Sequence, residues 1–124
     1  MKIAIVPADD TQPIEIKDIE TNLAVYQKIV DGNIEAVRLV DNEKGAVAMD
    51  MYVNEEFLLR DDLEANGRAS ILYLFSFNTA TVLYGNAVLI GGVDAHGNDK
   101  GLSKKQVDFL KLSFIAVVDT TAQD

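Results

Sequence analysis

The stretch AVAMDMYV, residues 46–53, reads as a strand with two alternating faces, and it ends on the polar tripeptide Asn54-Glu55-Glu56. Strand side chains alternate with period two, which puts Val47, Met49, Met51 and Val53 on one face and Ala46, Ala48, Asp50 and Tyr52 on the other. The first face is expected in the core, with Asp50 outside it. Upstream, residues 2–6 and 13–17 read as two apolar strands across the turn-like ADDTQ, a pattern that suits a hairpin. Ile19, Leu23, Tyr26 and Val30 then recur at helical spacing, with Asp18 as the expected cap and Gly32 as the stop. Residues 34–40 form the next expected strand, and the turn DNEKG at 41–45 returns the chain into 46–53.

Beyond Asn54 the period becomes helical. Asn54 is the expected cap of a short helix, with Glu55 and Glu56 in its first turn, where the helix dipole favours negative charge, and the acidic run 60–64 behind them. Asn66-Gly67 breaks it, and a second helix is predicted from Arg68 into Leu74, although the aromatic-rich 71–77 is short enough to suit a strand as well. Asn54 and Asn66 both precede helical patterns, so Asp is expected to replace either without loss of stability. Residues 87–90 read as a buried strand and 91–101 as a polar, Gly-rich loop. Ser103 and Gln106 form a capping-box pair, with Leu102 and Val107 at the staple positions, and start a third helix. Residues 114–118 fit either a last strand or a further helical turn, and 119–124 a frayed tail. The expected fold is α+β: a single domain over 1–124, with a mostly antiparallel sheet of about four to six strands and about three helices.

At 124 residues, 48% apolar and 25% charged, the chain is long enough to bury a core without staples. It has no cysteine, which removes disulfides and thiolate chemistry together. No apolar run approaches the ~20 residues of a membrane helix, so a cytoplasmic protein without a membrane partner is expected. Twenty acidic against eleven basic residues give a net charge of −9, which repels nucleic-acid phosphates at long range. Direct nucleic-acid binding is therefore not expected, whereas a partner with a basic surface is.

His96 is the single histidine and lies in DAHGNDKG with Asp94 and Asp99. An EF-hand begun at Asp94 needs Gly where Asp99 stands and Glu where Lys105 stands, so the calcium pattern fails. Neither the P-loop nor the dinucleotide glycine pattern occurs, and no metal or cofactor is expected. Glu55 with Glu56 and Asp61 with Asp62 are sequence neighbours, which diverge on a helix rather than facing each other as catalytic pairs do. No catalytic residue is expected. Tyr73, Phe75, Phe77 and Tyr84 suit core packing, and any exposed remainder suits a subunit interface, hence a homo-oligomer.

The succession NLAVYQKIVDGNIEAVRLV, MYVNEEFLL, NGRAS and YGNAVLIGG resembles a small family of phages, plasmids and their bacterial hosts catalogued as domain of unknown function 3846. The matching positions are Gln27, Val30 and Gly32 at a helix end, Glu35 and Val37 in a strand, and Asn54 to Glu56 at a turn. They continue with Asn66, Arg68 and Ala69, here with Gly67 intervening, and with Gly85, Asn86, Val88 and Gly91. The resemblance covers residues 22–112 and implies no established activity. Its setting implies an accessory protein of a phage or mobile element that acts on the bacterial host. The expected function is accordingly non-enzymatic: stoichiometric binding of a host macromolecule, with counter-defence as one setting, and Glu55, Glu56, Asp61, Asp62 and Glu64 facing a basic groove. The alternative is a small-ligand, nucleotide-like binder with Asn54, Asn66, Arg68 and Asn86 lining its pocket.

Overall fold

The computed structural model describes residues 1–122. Lys2–Val6 (β1) and Ile14–Asp18 (β2) form the expected antiparallel hairpin, with Ala4 opposite Ile16. Helix α1, Leu23–Val30, is capped by Asn22, whose side chain accepts from the Val25 backbone N–H; Asp18 instead closes β2. Ile34–Leu39 (β3) pairs antiparallel with Met49–Asn54 (β4), and Ala87–Ile90 (β7) pairs antiparallel with both β4 and β1. Between β4 and β7 lie two short strands, Ala65–Asn66 (β5) and Leu83–Tyr84 (β6), which pair with each other around helix α2, Gly67–Phe77. After β7 come Gly92–Val93 (β8), Asp99–Lys100 (β9), helix α3 over Lys104–Ser113, and Val117–Asp119 (β10). The main sheet has the order β10-β2-β1-β7-β4-β3, antiparallel except for the parallel pair of β10 with β2. The fold is α+β, as expected.

Three layers result. Tyr26 and Val30 of α1 pack on Ile3, Tyr52, Val88 and Ile90 on one side of the sheet. Ala69 and Leu72 of α2, with Val107 and Leu110 of α3, pack on the other side against Ala4, Val6, Met51 and Leu89. Because both faces are covered, every residue of β4 is buried, including Asp50 and Tyr52. That corrects the one-sided reading of the strand: Met49 and Met51 are in the core, but Asp50 is buried too. Alternation reports which residues share a face, not whether that face is covered.

Several boundaries differ from expectation because side chains capture the backbone locally. The strand begins at Met49 rather than Ala46, since Asn42 Oδ1 accepts from Ala46 N–H and Asp41 Oδ1 from Ala48 N–H. The short helix expected after Asn54 is a run of turns, in which Phe57 N–H bonds to Asn54 O and Arg60 N–H to Glu56 O. Helix α2 starts one residue earlier than expected and runs on to Phe77, which settles 71–77 as helix. The loop expected at 91–101 contains the β8–β9 hairpin. Of the two readings of 114–118, the strand holds at its end, as β10. Residues 119–121 are not a loose tail: Thr120 bonds to Ile16 O through both its N–H and its hydroxyl, and Thr121 bonds to Asp119. Residues 123 and 124 of that expected tail lie outside the described residues.

The predicted capping box starts α3 and does more. Gln106 Oε1 accepts from Ser103 N–H at 2.8 Å, while its Nε2 donates to Ala48 O at 2.8 Å and Gly91 O at 3.0 Å. One half-polar side chain therefore caps a helix and ties it to the lead into β4 and the end of β7.

Candidate functional site

Asn54, Asn66, Arg68 and Asn86 converge at the end of the sheet where β1 and β4 finish and β7 begins. Each hydrogen-bonds to the backbone. Asn54 Nδ2 donates to Val30 O and Asp31 O, both at 3.1 Å, and its Oδ1 accepts from Glu56 N–H at 2.8 Å. The chain leaving α1 must approach that amide closely: a Cβ on Gly32, at φ 156°, would stand 2.6 Å from Asn54 Nδ2. Asn66 Nδ2 donates to Val6 O and Gly85 O at 2.9 Å, and its Oδ1 caps α2 through Ala69 N–H. Asn86 Oδ1 accepts from Ala8 N–H, and its Nδ2 donates to Ile29 O. Arg68 Nη2 donates to Pro7 O and Asp9 O, while its buried Nε has no partner among the described residues. Burial lowers the pKa of its guanidinium. These four side chains knit α1, β1, β4, β7 and α2 together, and neither cavity described below is lined by them.

The carboxylates of the acidic run are held out in solvent on the turns. Glu55, Glu56, Asp61, Asp62 and Glu64 are all exposed, with Leu58 and Leu59 exposed among them. Arg60 anchors the segment: it donates to Asp31 O at 2.6 Å, to Asp31 Oδ2 at 3.0 Å and to Asp62 Oδ2 at 2.6 Å. The hydrogen bond from Arg60 holds the Asp62 carboxyl below its usual pKa, and the same bonds keep Arg60 more firmly protonated. Glu55 accepts from Asn33 Nδ2. His96 lies exposed in the β8–β9 turn, its backbone N–H on Asp94 Oδ1. Among the described residues, no three Asp, Glu, His or Cys side chains gather to hold a metal.

The concave surface lies elsewhere. A cavity of about 750 Å³ opens between the 42–46 turn, the end of α2 and α3, and its apolar walls are Leu74, Phe75, Phe77 and Phe109. This size is within the range of ligand and peptide pockets. Beside it, Ile71, Leu74 and Phe75 stand 42%, 40% and 47% exposed at the i, i+3, i+4 spacing of one helix face. The opposite face of α2 buries Ala69, Leu72 and Ser76. Residues 69–93 carry no charged side chain, so this face is also uncharged. The aromatics read from the sequence as core are thus divided: Tyr73 packs partly inward, and Phe75 is left outside. A uniform apolar run gives no period from which to tell those two faces apart.

A second group was not foreseen. Tyr26 and Tyr52 donate to the two oxygens of Asp99, at 2.8 and 3.0 Å, with their rings 4.8 Å apart. Burial, with the carboxylate beside it, pushes the Tyr26 phenol up to about 12 and raises Tyr52 as well. Asp50 lies on the same face as Tyr52, opposite Arg38 on β3. A mid-strand Asp within an apolar alternation was the available signal for Asp50; Asp99 meets the tyrosines only through the tertiary fold.

A search of curated proteins and a search of solved structures each found no match. A family model described as domain of unknown function (DUF3846) matches residues 1–115, nearly the whole chain, and the chain belongs to that family.

Proposed function

We propose that the protein is a non-enzymatic binding factor that docks a host macromolecule through the outer face of α2 and the adjoining cavity, as an accessory protein of a mobile element, with counter-defence as one setting. The observation that carries this reading is that the outer face of α2, with Ile71, Leu74 and Phe75, is apolar and left exposed. Contiguous exposed apolar surface of that kind marks interaction sites. Charge supplies the partner's chemistry. A net −9 with five carboxylates exposed along 55–64 steers a basic surface toward the protein, while the uncharged α2 face buries without desolvating an ion.

The test is capture from bacterial lysate on immobilised wild type, L74S/F75S, and D61K/D62K, with the chain's own association measured by sedimentation. A partner retained by wild type, lost in L74S/F75S and retained more slowly by D61K/D62K at low salt is expected. Equal capture by wild type and L74S/F75S, both folded, eliminates the α2 face. Concentration-dependent dimers of wild type that L74S/F75S abolishes, without a foreign partner, reassign the face to a second copy.

A further inference from the structure

Asp50 is the one acidic residue among the buried side chains described, only 5% exposed as a side chain, and it is poorly served by its neighbours. In the sheet it lies between Ile90 of β7, which offers no polar side chain, and Arg38 of β3. Arg38 Nε reaches Asp50 Oδ1 at 3.4 Å, a single long contact from a side chain that is 74% exposed. An ionised carboxylate accepts at both oxygens, with about four lone-pair sites, and a buried charge is costly unless well paired. Asp50 has room for a further donor.

A cavity of about 240 Å³ opens at this position, between the β3–β4 strands and the β8–β9 hairpin. Arg38, Lys100, Gly91 and Gly92 line it with Asp50. Lys100 is exposed and makes no ion pair among the described residues. The wall therefore presents two cations and one sunken carboxylate. A bare amine entering it meets Asp50 but is repelled by both cations, and a bare carboxylate is drawn to the cations but repelled by Asp50. A molecule carrying both groups a short distance apart satisfies all three. At about 30 Å³ of liquid volume per water, the cavity holds about eight waters, the space of a small organic zwitterion.

We propose that this cavity binds a small zwitterion of the α-amino acid class, with its ammonium on Asp50 and its carboxylate on Arg38 and Lys100. The site is separate from the α2 face, so either assignment stands or falls alone. The experiment is an amide NMR titration of the whole chain at low salt with glycine, alanine and serine, and with methylamine and acetate as half-probes. Saturable shifts at Gly91, Gly92 and Lys100 are expected with at least one amino acid, with both half-probes weaker by about tenfold or more, about 1.4 kcal/mol. D50N and K100A should each weaken that amino acid by a similar factor. K100A changes an exposed side chain, so it reports even if D50N fails to fold. No saturable shift with any amino acid, acetate binding as well as the amino acids, or unchanged binding in K100A each overturns the proposal.

Discussion

Asn54 and Asn66 show what an amide does that a carboxylate cannot. Both use Oδ1 as an acceptor, the role that the sequence pattern assigns to a cap, but each also donates through Nδ2 to two backbone carbonyls. Aspartate keeps the acceptor and replaces the donor with a charge facing those carbonyls; at Asn54 they are the last of α1, where the helix dipole already concentrates negative charge. The expectation that Asp is tolerated is therefore reversed. N54D and N66D, as well as N54A and N66A, should each lower stability by about 1–3 kcal/mol, read as a fall in the urea midpoint. Wild-type stability in N54D would show that the two bonds from Nδ2 contribute nothing. The cap on α2 was legible because an Asn before a helical run is a local signal. The carbonyls of Val6 and Gly85 were not, because no spacing in the chain announces that those segments will meet at Asn66.

At the scale of elements, the hairpin Gly92–Val93 with Asp99–Lys100 was invisible because its strands are two residues long and its stability comes from what it touches. Asp99 pins it to α1 and β4 through Tyr26 and Tyr52, and that link makes the pair sensitive to alkali. Each phenol has a folded pKa raised above its ordinary value of 10.0, for Tyr26 to about 12. The folded state thus binds more protons than the unfolded chain above pH 10, so the contribution is complete below that pH and is lost as pH rises toward 12. Urea midpoints should fall more steeply over this window in wild type than in Y26F/Y52F. Glycines at the margins of elements divide in the same way. A Cβ on Gly91 would stand 2.1 Å from Gly101 O, a backbone atom that cannot swing aside. G91A should therefore disrupt the junction of β7 with the hairpin, lowering the midpoint strongly. Gly67 opens α2 with none of the described residues within 4 Å of an added Cβ, so G67A should be neutral or stabilising, by about 0.4–1 kcal/mol. Thermal melts of the two variants test the contrast.

For the whole molecule, the class of fold was legible because strand and helix periods are local, and the three helices and mostly antiparallel sheet of the described residues follow from them. Which helix covers which face was not, and it decides the candidate site. Coverage of both faces turned the mid-strand Asp50 into a buried carboxylate, and packing α2 by one side left Ile71, Leu74 and Phe75 outside. The acidic run was read as one group and is one exposed group, although on turns rather than a helix. Its charge belongs to the molecule's field as a whole. If that field steers a basic partner, the association rate should fall as salt shortens the screening length to about 8 Å near physiological ionic strength. A rate that does not change with salt removes electrostatic steering from the proposed function.

The order of the sheet also sets a timetable for folding. Its central contact joins β1 to β7, with Ala4 against Leu89, so the middle of the sheet cannot close until most of the chain has been synthesised. The hairpin of β1 and β2 is local in sequence but leaves one edge of β1 for β7, and the far edge of β2 is covered by β10, which comes last in the chain. Closing such distant pairs is entropically slow, and refolding from denaturant should take milliseconds to seconds rather than the microseconds of helical bundles. A nascent chain halted before Ala87 leaves the edge of β1 that faces β7 without its partner strand, open to pairing with another chain.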